Sequence, residues 1–218
     1  MAEIVRVNSK CPEPAAIARA AEMIRAGEVV AIPTDTFYGL AANPFDRAAV
    51  ERVFAIKGRA KHMPLLLLVD SVERARGLAA GLPPEFERLA ERFWPGPLTI
   101  VVGASGRVPG NVTGGTGRIG LRLPAAAIPV ALVRQADVPI IGTSANRSGE
   151  KECDAAQEVE QQIGAALPLI LDGGDGGTSR AARPSTVIDV REDCWSVLRE
   201  GAIGVEEIAV VLGKRKQK

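Results

Sequence analysis

The chain has 218 residues, 27 Lys and Arg against 26 Asp and Glu, and a formal net charge of +1, so it is not a protein that binds polyanions with its whole surface and any cationic site has to be local. Its one histidine, His62, excludes a zinc site built on a histidine pair, and the widely spaced Cys11, Cys153 and Cys194 form no C-x-x-C and fit reduced thiols in a cytoplasmic protein. No apolar run has the length of a membrane span, and residues 1–10 do not read as a signal peptide.

Ile4 to Val7 reads as a first strand, and Glu13 to Ala26 as an alanine-rich helix with Pro14 in its first turn and Gly27 past its end. Val29 to Ile32 is a short β-branched strand that Pro33 stops, because proline has no N–H to give to a ladder. Thr34-Asp35-Thr36-Phe37-Tyr38-Gly39-Leu40 then sets two hydroxyls, a carboxylate and a phenol in a turn. Local backbone bonding accounts for the first three residues; a binding site is the other reading. Asp46 is placed to cap the next helix, in which Val50, Val53 and Phe54 keep the i, i+3, i+4 spacing of a buried stripe and Lys57 continues it. An inward ammonium is costly without a partner, and Arg59 and Lys61 follow with no acid between them. Either a ligand's phosphate is the missing partner, or these cations offset the dipole of a helix that Gly58 ends.

Leu65 to Val69 suits a strand buried on both faces, which gives a β-α-β-α-β opening. Ser71 to Ala80 and Pro83 to Phe93 read as helices; Trp94-Pro95-Gly96-Pro97 breaks the chain before a strand from Leu98 to Val102, with Trp94 as a core plug. Gly115-Thr116-Gly117-Arg118-Ile119-Gly120 fits G-x-G-x-x-G, yet it leads into the strand-like Leu121-Arg122-Leu123-Pro124 where a dinucleotide fingerprint would open a helix, so a Rossmann site is rejected. Strand alternation puts Ile119, Leu121 and Leu123 on one face and Arg118, Gly120 and Arg122 on the other, with the arginines about 13 Å apart. That second face is either solvated or a cationic floor for an extended anion. Ile128 to Gln135 reads as a helix and Val138 to Ile141 as a strand, followed by a loop, Gly142 to Gly149, at a strand end where α/β sheets bind ligands. Ser144 and Asn146 offer uncharged polar groups there, or cap the next helix. A helix from Ala155 to Ile163, a strand from Leu167 to Leu171, a mobile glycine-rich loop from Asp172, strands Ser185 to Val190 and Trp195 to Arg199, a helix from Gly201 to Leu212 and a solvated basic tail complete the order.

Pro33-Thr34-Asp35-Thr36-Phe37-Tyr38-Gly39-Leu40, Lys57-Gly58-Arg59 with Pro64-Leu65, Trp94-Pro95-Gly96-Pro97-Leu98-Thr99, Ser144-Ala145-Asn146, Asp172-Gly173-Gly174 and Pro184-Ser185-Thr186-Val187 resemble, in that order, the motifs of the YrdC/Sua5 family. The resemblance runs from about Val29 to Ala202 and implies an α/β fold, a twisted mixed sheet with flanking helices and a concave basic cleft, as one short-form domain over residues 1–218. It implies L-threonylcarbamoyladenylate synthase activity, a nucleotidyl transfer that makes threonylcarbamoyl-AMP and pyrophosphate from L-threonine, bicarbonate and ATP with Mg2+, for the t6A modification of tRNA. By motif, it implies that Lys57 and Arg59 are catalytic and bind ATP with Ser144, Asn146 and Arg199, and that Thr36, Arg122 and Ser185 hold threonine. It implies no protein-held metal, a cytoplasmic location without a membrane, and a downstream tRNA threonylcarbamoyl transferase as partner. Two alternatives stand beside it: a non-catalytic module that binds nucleotide or double-stranded RNA, and a paralogue that handles another carbamoyl-adenylate. Ala60, Met63, Leu68 and Arg118 depart from the family pattern.

Overall fold

Short runs rich in Val, Ile and Leu, separated by glycine and proline, fold as strands too brief to stand alone and therefore need neighbours from distant parts of the chain. The computed structural model describes residues 1–58, 63–174, 183–192 and 194–213. In chain order the elements are β1 (Glu3–Arg6), α1 (Pro14–Arg25), β2 (Val30–Ile32), β3 (Gly39–Ala41), α2 (Arg47–Lys57), β4 (Leu66–Leu68), α3 (Val72–Leu78), α4 (Pro84–Phe93), β5 (Leu98–Gly103), β6 (Arg118–Arg122), α5 (Ala127–Ala136), β7 (Ile140–Ile141), β8 (Thr143–Ser144), α6 (Ala156–Ile163), β9 (Leu169–Asp172), β10 (Thr186–Arg191), β11 (Cys194–Arg199) and α7 (Val205–Leu212).

The strands form two mixed sheets, one in the order β1-β9-β2-β3-β8 and the other β11-β10-β5-β6-β4-β7. In the first, β9 runs parallel to β1 and β2, and β3 is antiparallel to β2 and β8. In the second, β10 is parallel to β5, β4 is parallel to β6, and the remaining pairs are antiparallel. The α/β class is as expected, with the strands divided between two sheets. The β-α-β-α-β opening does not form one layer: β9 inserts between β1 and β2, and β4 joins the other sheet. Apolar periodicity marks a strand without naming its neighbour. Where the sequence predicts a turn and a loop, pairing of Gly39 with Ser144 and Leu40 with Thr143 makes two short strands, β3 of three residues and β8 of two.

Helix α2 starts where Asp46 accepts hydrogen bonds from the Ala48 and Ala49 N–H groups, at 2.8 and 3.3 Å, and ends at Gly58, whose φ of 59° is the left-handed C-cap conformation. Asp46→Ala is expected to lower stability by about 1 kcal/mol, read as a shift of the urea midpoint at constant slope; an unmoved midpoint would count against the cap. Trp94 is a core plug as expected, its indole N–H donating to the Leu98 carbonyl at 2.7 Å and its ring meeting Phe86 edge-on at 5.5 Å.

Besides the shared apolar core, one short segment carries backbone hydrogen bonds toward both sheets. Ile141 N–H donates to the Ala42 carbonyl beyond β3 at 3.0 Å, while Gly142 N–H donates to the Leu66 carbonyl in β4 at 3.1 Å. Neighbouring residues thus bond to different sheets, with Gly142 alone between β7 and β8. A β-carbon at Gly142 would lie 2.5 Å from the Leu68 side chain, so the crossing is filled.

Candidate active site

A cleft of about 1190 Å³ has walls from both sheets: Gly39, Thr143 and Ser144 from one, Thr99, Gly120, Arg122, Val187 and Arg199 from the other, and Lys57 from the end of α2. Its described lining carries the cations Lys57, Arg118, Arg122, Lys151 and Arg199 with the carboxylates Glu150 and Glu152.

Lys57 points inward, as its place on the stripe requires, and is 5% exposed. Among the described residues, oxygens of the 144–146 loop meet it. The ammonium donates to the Ser144 carbonyl, to the Asn146 carbonyl at 2.9 Å and to Asn146 Oδ1 at 3.0 Å, with Ser144 Oγ at 3.4 Å. These oxygens are uncharged, so they satisfy N–H groups without cancelling the charge. Ser144 Oγ in turn donates to Asn146 Oδ1 at 2.7 Å, Asn146 Nδ2 donates to the Glu150 carbonyl at 2.7 Å, and Ser148 N–H returns to the Lys57 carbonyl at 2.9 Å. Helix end and loop therefore hold each other. Arg59, Ala60, Lys61 and His62 lie outside the described residues, as do 175–182 of the glycine-rich loop and the tail 214–218.

Arg122, on β6, is 4% exposed; Nε donates to the Gly96 carbonyl and Nη1 to Thr36 Oγ1, both at 3.1 Å. Nη2 stands 2.7 Å from Asp35 Oδ1. The Thr34 hydroxyl donates to the Phe37 carbonyl at 2.7 Å, accepts the Thr36 N–H at 3.1 Å and lies 3.0 Å from Thr36 Oγ1. Turn chemistry applies to this stretch, and the turn's own bonds fix the hydroxyl that meets Arg122. Ser185 is buried, with Oγ 2.9 Å from Thr99 Oγ1. Arg199 donates to the Ser185 carbonyl from Nε at 3.2 Å and from Nη2 at 2.9 Å, and from Nη2 to Ser185 Oγ at 3.1 Å. Burial holds the Arg199 guanidinium below its usual pKa; the Glu152 charge acts against this, and the like charge of Arg122 adds to it.

Both of the expected floor arginines have an acid against them: Arg118 donates to the Asp189 carboxylate and to the Val101 and Val190 carbonyls, at 3.1 and 2.9 Å, and Arg122 stands beside Asp35, so neither is a bare cation. The solvated-face reading also fails, because Gly120 and Arg122 are buried. The departures Met63, Leu68 and Arg118 all line the cleft, Met63 with an exposed apolar side chain.

Sequence reasoning missed Tyr38 and Asp172 as a linked pair. The Tyr38 hydroxyl donates to Asp172 Oδ1 at 3.3 Å and accepts the Gly173 N–H at 3.3 Å, and Arg6 Nη1 holds the other carboxylate oxygen at 3.0 Å. Burial first, and then the Asp172 charge, push the Tyr38 hydroxyl up from its usual pKa, so it stays a neutral donor. The visible signal was an acid ending an apolar strand. Among the described residues no three His, Cys, Asp or Glu side chains gather as a metal site, and no helix is long and apolar enough to cross a membrane.

The Sua5_yciO_yrdC family model, described as telomere recombination, matches residues 22–201. The chain is 42% identical over 195 residues to the threonylcarbamoyl-AMP synthase of Pyrococcus abyssi, covering 89% of this chain and 56% of that protein. To the threonylcarbamoyl-AMP synthase of Bacillus subtilis it is 34% identical over 198 residues, covering 90% and 56%. Its fold superposes on the crystal structure of P. abyssi Sua5 complexed with L-threonine with a TM-score of 0.92 at 40% identity, over 98% of this chain and 62% of that one. The chain thus spans little more than half the length of these relatives. Since the matched region contains ten of the eleven described strands, all but β1, and every described wall of the cleft between them, the chain belongs to the Sua5/YciO/YrdC family.

Proposed function

We propose that this chain makes L-threonylcarbamoyladenylate and pyrophosphate from L-threonine, bicarbonate and ATP, as a nucleotidyltransferase whose product serves a tRNA threonylcarbamoyl transferase. The observation that carries the reading is a single cleft holding two buried cations in different seats, Lys57 among the oxygens of residues 144–146 and Arg122 against Thr36. The P. abyssi relative of the same fold is named as complexed with L-threonine, which favours synthesis over a non-catalytic RNA-binding module. A single domain over 1–218 and a cytoplasmic location belong to the same proposal.

Threonine's amine and bicarbonate condense to a carbamate with loss of water; a carbamate oxygen then attacks the α-phosphorus of ATP and pyrophosphate leaves. Negative charge spreads over phosphoryl oxygens in that step, so fixed donors and positioning supply the rate. In this proposal Lys57, Arg59, Ser144, Asn146 and Arg199 bind the nucleotide, while Thr36, Arg122 and Ser185 hold threonine. Magnesium, carried on the triphosphate, offsets phosphate charge.

The test is pyrophosphate release by the purified chain with magnesium and ATP, omitting threonine or bicarbonate in turn. Release that requires both is expected; no release from folded protein, with binding to double-stranded RNA, would overturn the reading. Arg122→Lys is expected to raise KM for threonine by about 10- to 100-fold and to leave KM for ATP within about 3-fold, because an ammonium cannot make the paired contacts of a guanidinium with a carboxylate. Equal losses for both substrates would remove Arg122 from the threonine seat.

A further inference from the structure

Two arginines on one face of β6 each have an acid beside them, and the pairs are built differently. Arg118 is locked to Asp189 and to two backbone carbonyls. Arg122 has Nη2 2.7 Å from Asp35 Oδ1, yet Nη2 and both Asp35 oxygens are buried without an aligned hydrogen bond among the described residues. The carboxylate therefore supplies charge without taking up the N–H directions of Nη2. Thr36 and Gly96 hold Arg122 through its other two nitrogens, and Arg122 lines the cleft.

We propose that Asp35 sets the ligand class of the Arg122 seat: by cancelling the guanidinium charge, it admits a monoanionic carboxylate and rejects a dianionic phosphate. The inference rests on the cleft being the site for threonine and ATP, and it answers a difficulty that this reading creates. A carboxylate and a triphosphate enter one cleft, and a bare guanidinium grips phosphate in the same forked manner as carboxylate. With Asp35 present, the empty seat is neutral. A carboxylate leaves it with one excess negative charge and a phosphate dianion with two, and burial raises the cost of each. Repulsion from Asp35 scales with ligand charge, so the dianion meets twice the penalty. Asp35 thereby keeps the nucleotide's phosphates out of the amino-acid seat. It acts through Arg122 as a specificity-determining, positioning residue.

The phosphonic acid analogue of threonine, a dianion in mildly alkaline buffer, and its monomethyl ester, a monoanion of similar shape, separate charge from fit. Each is competed against radiolabelled threonine by equilibrium dialysis, without turnover. The unaltered chain is expected to bind the monoester about 10-fold more tightly than the dianion, and Asp35→Asn to narrow that gap to within about 3-fold while still binding threonine. Equal affinities in the unaltered chain, or an unchanged gap in a folded Asp35→Asn variant, would overturn the inference and leave the threonine seat standing. If Asp35→Asn loses threonine and both analogues together, its role is structural and the inference falls. Should that variant not fold, the gap in the unaltered chain and in Asp35→Ser decides. No threonine binding by the unaltered chain would overturn the functional reading itself.

Discussion

Lys57→Met is expected to lower the rate of pyrophosphate release by about 10²- to 10³-fold, the usual consequence of removing one fixed donor from a site where phosphoryl charge develops. Methionine keeps most of the buried volume and removes the charge. It also withdraws the donor from the Ser144 and Asn146 carbonyls and Asn146 Oδ1. Asn146 Oδ1 keeps the Ser144 hydroxyl as donor, while a buried acceptor that loses its donor costs about 1 to 3 kcal/mol, so the melting temperature is expected to fall as well. The two effects separate in an ATP-binding measurement on the folded variant at low temperature. A folded Lys57→Met protein with near-normal turnover would remove Lys57 from the chemistry and leave it as a brace for the loop.

Gly201→Ala is expected to be the most damaging small change in the described fold. A β-carbon there would sit 2.1 Å from the Pro184 carbonyl oxygen, 2.6 Å from Ser185 C and 2.7 Å from Thr186 N, all backbone atoms that no side-chain rotation can move. Retreat is blocked because Gly201 N–H donates to Thr186 Oγ1 at 2.9 Å, Ala202 N–H to the Pro184 carbonyl at 2.9 Å, and Thr186 Oγ1 to the Ile203 carbonyl at 2.6 Å. A stability loss of about 3 kcal/mol or more is expected in urea unfolding. Because Ser185 and Arg199 meet in the same place, threonine affinity is expected to fall with it. Stability within about 1 kcal/mol of the unaltered chain would contradict this packing.

How much of this was legible depended on how local each cause was. The Asp46 cap, the Gly58 end of α2, the inward Lys57 and the Trp94 plug follow from spacing within a single element, and the structure has them in place. The partners of those groups were not legible. Asp35 finds Arg122 87 residues later, and Tyr38 finds Asp172 134 residues later; nothing in either neighbourhood specifies the other. Arg118 misled for the same reason, since alternation gave its face and said nothing of Asp189 across two strands. Strands of two or three residues, such as β8, carry too few side chains to show a period and exist because a neighbouring edge offers them hydrogen bonds.

The crossing at Gly142 has a mechanical consequence. Residues 141 and 142 are tethered to different sheets, and consecutive α-carbons are held about 3.8 Å apart by covalent geometry. The two sheets therefore cannot part at that end of the cleft without breaking one of these two hydrogen bonds. Prying the layers apart to admit a bulkier ligand breaks that tether. Re-engineering the chain for a larger substrate calls instead for trimming wall side chains such as Leu68 or Met63, with the tether left intact.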